Sequence, residues 1–396
     1  MVRTGRLAAL AALTALIACA PGGRGGAITT ITRGPVLHLA PPGTYADALA
    51  GLPATASAAT MLASTIDDAA PLLFIDLGAR RVTRITGVRD GGLQEGLLAP
   101  GGGALFVERP RAVGRVTATG VRRPFAELPP EVPGEINRLA LADGALVATT
   151  RVAGPPDRSP VPGRAVVFSP DGRLRCVAPV DASFAWVAPG SVWSDDLRTR
   201  LDVATCATTP GLDLAGYAGP LSFPTSDGDA YPLLPDRVVR RFDLGSGAVV
   251  ATSPVLGVIE DVAVVGRAVW VGTNERIYRL DRDSLEVDAS HRFACTYSPR
   301  FVAAAFGLYV IEDCEGVLWR LDPETAEPVE GWALPLEEGS DIQAVGVPTR
   351  EGIWIVDLEQ TGEPYFFSPE RRRFERLAID RALAHPIFAL SFDVSR

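Results

Sequence analysis

The sequence predicts an all-β architecture of radially packed, four-stranded units, and three observations predict it. A segment closing on aspartate recurs as "LRTRLD" (197–202), "VVRRFD" (238–243), "RIYRLD" (276–281) and "VLWRLD" (317–322), with Asp202, Asp243, Asp281 and Asp322 spaced by 41, 38 and 41 residues. Two strand-like series precede it in constant order. One opens on glycine, at Gly144, Gly190, Gly266, Gly307 and Gly352; the earlier one reads "IEDVAVV" (259–265), "RFVAAAF" (300–306) and "IQAVGV" (342–347). Alternation such as Ile277-Tyr278-Arg279-Leu280 is strand-like, and helical periodicity is nearly absent after the first 18 residues. A period of about 40 residues holding four strands is that of a propeller blade.

Each element has a local cause. A glycine turn leads into the second strand, and the aspartate opens the turn between the third and fourth, where Asp, Gly and Ser supply local hydrogen bonds and positive φ. A lone four-stranded sheet cannot bury both faces. Packed in a ring it can, and closure removes most exposed edges. Seven units follow along the chain: 93–128, 136–180, 182–212, 219–255, 259–293, 299–335 and 341–380. The tail "HPIFALSFDVSR" (385–396) supplies one more innermost strand, "LLFIDLGARRVTRI" (72–85) reads as a third and fourth strand, and "ATMLAST" (59–65) as a second. Joined, they form an eighth, composite blade that clasps the two ends. Eight blades are favoured and seven are the runner-up, because 182–212 is short. A sandwich pair is the poorer alternative, since sandwiches do not repeat at this period.

At the N-terminus, Arg3 and Arg6 precede an apolar run over 7–18. As a helix it would span roughly 18 Å, short of the ~30 Å hydrocarbon core, so residues 1–18 read as a signal peptide. "LIAC" (16–19) resembles the lipobox of bacterial lipoproteins. The resemblance implies that Cys19 is acylated after cleavage and anchors the chain in a membrane. Ala20, where an inner-membrane lipoprotein has aspartate, implies the outer membrane. One acyl chain anchors only marginally, whereas the two or three of a lipoprotein hold firmly. The glycine-rich "APGGRGG" makes 19–34 a flexible tether, leaving 35–396 as a single propeller domain.

Composition excludes several chemistries. The formal charge is −9, or −11 without Arg3 and Arg6, and an acidic balance argues against nucleic acid as a partner. All 38 basic side chains are arginine, so neither a Schiff-base lysine nor a phosphate-loop lysine exists. Beyond Cys19 there are four cysteines, Cys176, Cys206, Cys295 and Cys314, without C-x-x-C spacing. An even count in an exported chain favours disulfides. Proximity suggests 176–206 and 295–314, although four cysteines allow three connectivities.

"FSPDGRL" (168–174) and "LDPETAEPVEGW" (321–332) resemble the turns of secreted bacterial propellers of the quinoprotein-like, YVTN and NHL-type repeat families. The resemblance implies the architecture and leaves the activity open. The tryptophan-docking pattern of the quinoproteins is not kept, so it does not imply a bound quinone.

No nucleophile-elbow or H-E-x-x-H motif is present, and His38, His291 and His385 read as ordinary structural or surface side chains. Inner strands of a propeller all begin on one face, around the central channel. Glu95, Glu135, Asn137, Arg138, Asp181, Glu260, Asp261, Arg300, Asp341 and His385 lie at or just before those starts. Glu95, Glu135, Asn137, Asp181, Glu260, Asp261 and Asp341 are therefore candidate ligands for Ca²⁺, which takes oxygen donors; capping turns or facing water is the plainer role for them. A 295–314 disulfide would brace the same rim. Trp193, Trp270, Trp319 and Trp354 sit in repeat strands and read as core, and Arg371-Arg372-Arg373 as a solvated turn.

Three functions fit this reading. The favoured one is an envelope lipoprotein whose propeller is a non-catalytic platform for a protein partner, facing the periplasm or the cell surface. A second is a lactonase-type metal-dependent hydrolase, disfavoured because only Asn137 and Asn274 supply asparagine. A third, a carbohydrate or small-ligand binder, needs an exposed aromatic near the funnel.

Overall fold

The computed structural model describes residues 28–29, 36–38, 60–65, 72–76, 81–85, 96–99, 103–117, 119–152, 161–180, 184–212, 214, 224–234, 236–293, 299–312, 314, 316–335, 344–348, 351–357, 364–378 and 387–393. Among them are strands and turns and no helix.

The strands assemble into eight sheets, seven of them from consecutive strands. Sheet 1 comprises Gly96–Leu98, Gly103–Arg109, Ala112–Thr117 and Arg122–Glu127; sheet 2 comprises Glu135–Ala142, Ala145–Val152, Val161–Phe168 and Leu174–Pro179. Sheet 3 has Phe184–Ala188, Ser191–Ser194, Thr199–Asp202 and Thr208–Pro210, and sheet 4 has Thr225–Ser226, Asp229–Ala230, Arg240–Asp243 and Val249–Thr252. Sheet 5 holds Ile259–Val265, Ala268–Thr273, Arg276–Asp281 and Val287–Arg292; sheet 6 holds Arg300–Ala304, Gly307–Glu312, Val317–Leu321 and Pro328–Ala333. Sheet 7 runs Ala344–Pro348, Ile353–Asp357, Pro364–Ser368 and Arg373–Ala378. The remaining sheet is composite, in the order Ile387–Asp393, Thr60–Thr65, Leu72–Asp76, Arg81–Ile85. It joins the two ends of the chain as the sequence predicts.

Two features depart from expectation. The shortest ladder belongs to sheet 4, whose first two strands have two residues each; Pro224 and Pro232, which flank them, cannot donate to a ladder and confine it. Sheets 6 and 7 each carry a fifth, outermost strand, laid parallel to the fourth. Ile28–Thr29 pairs with Gly331–Trp332, and Val36–His38 with Arg376–Ala378. The first of these lies inside the stretch read as tether.

Side-chain alternation explains how the sheets stack. Leu146 and Ala148 face sheet 1 while Val147 between them faces sheet 3. Val269 and Val271 face sheet 4 while Ala268 and Trp270 face sheet 6. A strand buried on both faces has to read apolar throughout, as these do. Such shared cores join each of sheets 1 to 6 to the next, and Phe74 of the composite sheet packs with Ala104, Phe106 and Val116 of sheet 1. Trp193, Trp270, Trp319 and Trp354 are all buried in these layers.

The repeated aspartate is the turn-former expected. Asp202, Asp243, Asp281 and Asp322 each accept, on Oδ1, the backbone N–H three residues on. The residue four on adopts positive φ in every case: Cys206, Gly247, Leu285 and Ala326. These bonds hold the four carboxyls below the usual aspartate range; the N–H and hydroxyl of the Ser or Thr three residues on are the largest causes for Asp202, Asp243 and Asp281, and the N–H groups of Thr325 and Glu324 for Asp322.

Candidate functional site

In an antiparallel sheet of this order the first strand starts on one face of the molecule. The turn between second and third strands returns to that face, and the turn between third and fourth lies on the opposite one. First strands of neighbouring sheets lie against one another, which makes them the inner ones. The face on which they begin is called the mouth below.

The mouth of sheets 2, 3 and 5 shares a device that the sequence does not announce. The ladder between first and second strands breaks register between Ile136 and Arg138, between Phe184 and Trp186, and between Ile259 and Asp261. Asn137 and Glu260 are thus the extra residues of β-bulges, which turn side chains out of the regular alternation at rims and sites. Glu135, Arg138 and Arg300 are exposed there, and Asn137, Glu260 and Asp261 are half-buried.

Asp261 is committed to structure on both oxygens. Its Oδ2 accepts the N–H of Phe301 in sheet 6 at 2.7 Å and its Oδ1 accepts the N–H of Val262 at 2.9 Å. Burial pushes its pKa up to about 6, against the opposing pull of the Phe301 N–H, the Arg300 charge and the Val262 N–H. Arg300 in turn donates to the carbonyl of Glu260 at 3.1 Å. Other polar groups near this face are likewise engaged. Thr149 Oγ1 accepts the N–H of Phe184 in the next sheet, Thr150 that of Arg164, Thr273 that of Arg276, and Ser194 that of Thr199. Glu312, almost fully buried, accepts the N–H of Cys314 at 2.9 Å.

Of the proposed oxygen ligands, Glu135, Asn137, Glu260 and Asp261 lie among the described residues, and Glu95, Asp181 and Asp341 outside them, as do Cys19 and His385. Among the described residues no three His, Cys, Asp or Glu side chains converge closely enough to hold a metal ion. His291 packs edge-on against Phe293 and its pKa is lowered by burial.

Cys176 and Cys206 form a disulfide, as their spacing suggests, stapling the fourth strand of sheet 2 to the third–fourth turn of sheet 3 on the side opposite the mouth. Cys314 is also disulfide-bonded; Cys295, its expected partner, lies outside the described residues.

Two features escaped sequence reasoning. Trp186, on the first strand of sheet 3, is the only half-buried tryptophan among the described residues and donates its indole N–H to the carbonyl of Asp195 at 3.2 Å. On the mouth side, the connector into sheet 5 exposes Val255 (72%) and Val258 (46%), a few residues before Glu260, whose carbonyl accepts from Arg300. The signal was present: 244–259 contains no charged residue.

No family model matches the chain, and no curated protein matches it. Solved structures match by fold. The dihydro-heme d1 dehydrogenase NirN, in complex with DHE, superposes with a TM-score of 0.58 at 15% identity, over 85% of this chain and 75% of that one. The computationally designed protein Ika8 superposes at 0.50 and 10% identity, over 81% of this chain and 97% of that one. Identity this low speaks to architecture alone. Together with the stacked four-stranded sheets, it makes this chain a β-propeller protein.

Proposed function

We propose that the chain is an envelope lipoprotein, anchored in the outer membrane through Cys19, whose eight-bladed propeller is a non-catalytic platform that docks a protein partner at its mouth. Closure of eight sheets is supported by sheet 7. Trp354 and Phe366 point away from sheet 6 yet are fully buried, so another layer covers them, and the composite sheet is the one left to do so.

The observation carrying the docking role is the exposed connector into sheet 5. Val255 and Val258 are both exposed on the connector that leads into Glu260, whose carbonyl accepts from Arg300, so apolar and polar groups alternate along one stretch as at the core and rim of an interface. The carboxylate of Asp261, beside it, is occupied by two backbone N–H groups rather than turned to a substrate. A photo-crosslinking residue at Val255 in the lipidated protein is expected to capture one discrete envelope protein, and Val258→Asp to abolish the adduct. Absence of adducts from Val255, Arg138 and Arg300 alike would overturn the docking role. Trp186 favours a second reading, a small aromatic or sugar ligand near the inner strands; saturable quenching of its fluorescence by such a ligand would establish it.

A further inference from the structure

We infer that the outer edge of sheet 4 is a contact by which two copies of this chain pair about a twofold axis, their fourth strands meeting antiparallel at Thr252. The inference rests neither on the lipid anchor nor on a partner at the mouth. Fourth strands are the outer edges of these sheets, and open edges are ordinarily guarded by charge or proline, or covered. Sheets 6 and 7 are covered by a fifth strand. Sheets 1, 2 and 5 and the composite sheet carry charged residues in theirs, as at Arg122, Arg175, Asp288 and Arg84. Sheet 3 offers three residues ending on Pro210. Val249–Thr252 of sheet 4 has neither charge nor proline, and among the described residues no strand lies on it.

A bulge shapes this edge. The ladder to the third strand shifts register between Arg241 and Phe242, which makes Val250 the extra residue, and such residues turn out of the regular alternation. The same position holds Arg175 in sheet 2 and Asp288 in sheet 5. Both are engaged: Arg175 donates to the carbonyl of Val203, and Asp288 accepts from Arg279. Val250 and its neighbour Val249 are instead left 52% and 45% exposed. Past the bulge, Ser253 directs its N–H inward to the carbonyl of Val239 at 2.9 Å, so by alternation Thr252 directs its N–H and C=O outward. In sheet 6 the second residue past the bulge is Gly331, where the added strand pairs. Thr252 is its counterpart.

The occupant is a second copy because the strip is its own complement. Residues 244–259 contain no charged side chain, and Thr252 lies near their middle. An antiparallel twofold at Thr252 lays this stretch on itself. Thr252 then exchanges two backbone hydrogen bonds with Thr252 of the second copy, and Val249 and Val250 come opposite Val255 and Pro254. Each apolar match occurs twice, as an isologous contact requires. In a chain of charge −9, like-charged copies meet at least cost where neither presents a charge. Two short strips fall short of the ~1,600 Å² of a standard interface, so the pair is reversible and its population grows with concentration.

Analytical ultracentrifugation of the purified chain, from low to several hundred micromolar, tests the pairing. The weight-average mass is expected to rise toward that of a dimer. Thr252→Asp sets two carboxylates face to face on the axis and is expected to stay monomeric at an unchanged melting temperature. A mass that remains that of the monomer throughout, or a Thr252→Asp protein that still dimerises, overturns the inference. Oxidation of Thr252→Cys reads the axis itself. Directly opposed residues of a hydrogen-bonded pair lie about 5.5 Å apart, within the span of a disulfide. Covalent dimer is therefore expected to form several-fold faster from Thr252→Cys than from Val121→Cys, also exposed and placed just before the fourth strand of sheet 1. Equal rates from the two positions would overturn the twofold at Thr252.

Discussion

Asp261 and the turn aspartates place carboxylates of the same kind in opposite electrostatic situations, and acid separates them. The turn carboxyls are held low by local N–H and hydroxyl donors, so they contribute stability above the unfolded pKa of about 3.9. That contribution is lost as pH falls through their depressed values. Asp261 is raised to about 6 by burial. Between about pH 4 and 6 the folded state holds a proton that the unfolded chain has released, so this group makes stability fall as pH rises across that window. Asp261→Asn is expected to flatten the profile from pH 4 to 6 and leave the decline below pH 4 intact. It should also lower the melting temperature at pH 5, because an amide cannot accept from both Val262 and Phe301. Thermal melts across pH check this; an unchanged slope between 4 and 6 would show the carboxyl to be unperturbed. The turn aspartates were legible in the sequence because their bonds close within a few residues. The role of Asp261 was not, since its partner lies 40 residues away in another sheet.

Individual sheets are interlocked by residues that the repeat keeps at one position. The arginine two before the closing aspartate reaches the turn of the following sheet. Arg200 donates to the carbonyl of Leu244, Arg241 approaches Asp283, and Arg279 approaches Glu324. Period and alternation thus revealed the strands and their partners, because both are set by the backbone pleat. They did not reveal the fifth strands: Ile28–Thr29 and Val36–His38 belong to no repeat, and parallel pairing on an outer edge leaves no mark in spacing. The bulges at Asn137 and Glu260 were hidden for a related reason, since one extra residue does not disturb a 40-residue period. The Cys176–Cys206 bond adds a covalent link between sheets 2 and 3. A separation of 30 residues corresponds to about 3–4 kcal/mol of unfolded-state entropy. Replacing both cysteines by serine is expected to lower stability by about that amount, with a denaturant midpoint that falls while the slope is nearly kept. A midpoint shift below about 1 kcal/mol would mean that the stacked cores alone hold these sheets together.

At the scale of the whole molecule, a stack of sheets with two free ends would lose one neighbour at each end, and closing it restores both. In the proposed eight-bladed ring the strand Ile387–Asp393 would make that closure; it pairs along its length with Thr60–Thr65 in the composite sheet. Ending the chain at residue 385 removes that strand, exposes the edge of Thr60–Thr65, and leaves a three-stranded remnant beside sheet 1. On that side Phe106 then meets water, and in the proposed ring Trp354 and Phe366 of sheet 7 do so as well. Deleting 20–40 removes nearly twice as many residues, 21 against 11, but takes only outermost strands that join no two sheets. The C-terminal truncation is therefore expected to lower the melting temperature by ten degrees or more and broaden the transition, whereas the N-terminal deletion shifts it by a few degrees at constant width. Measured side by side in calorimetry, equal effects of the two deletions would mean that the composite sheet adds only its own contacts and that the ring gains nothing from being closed.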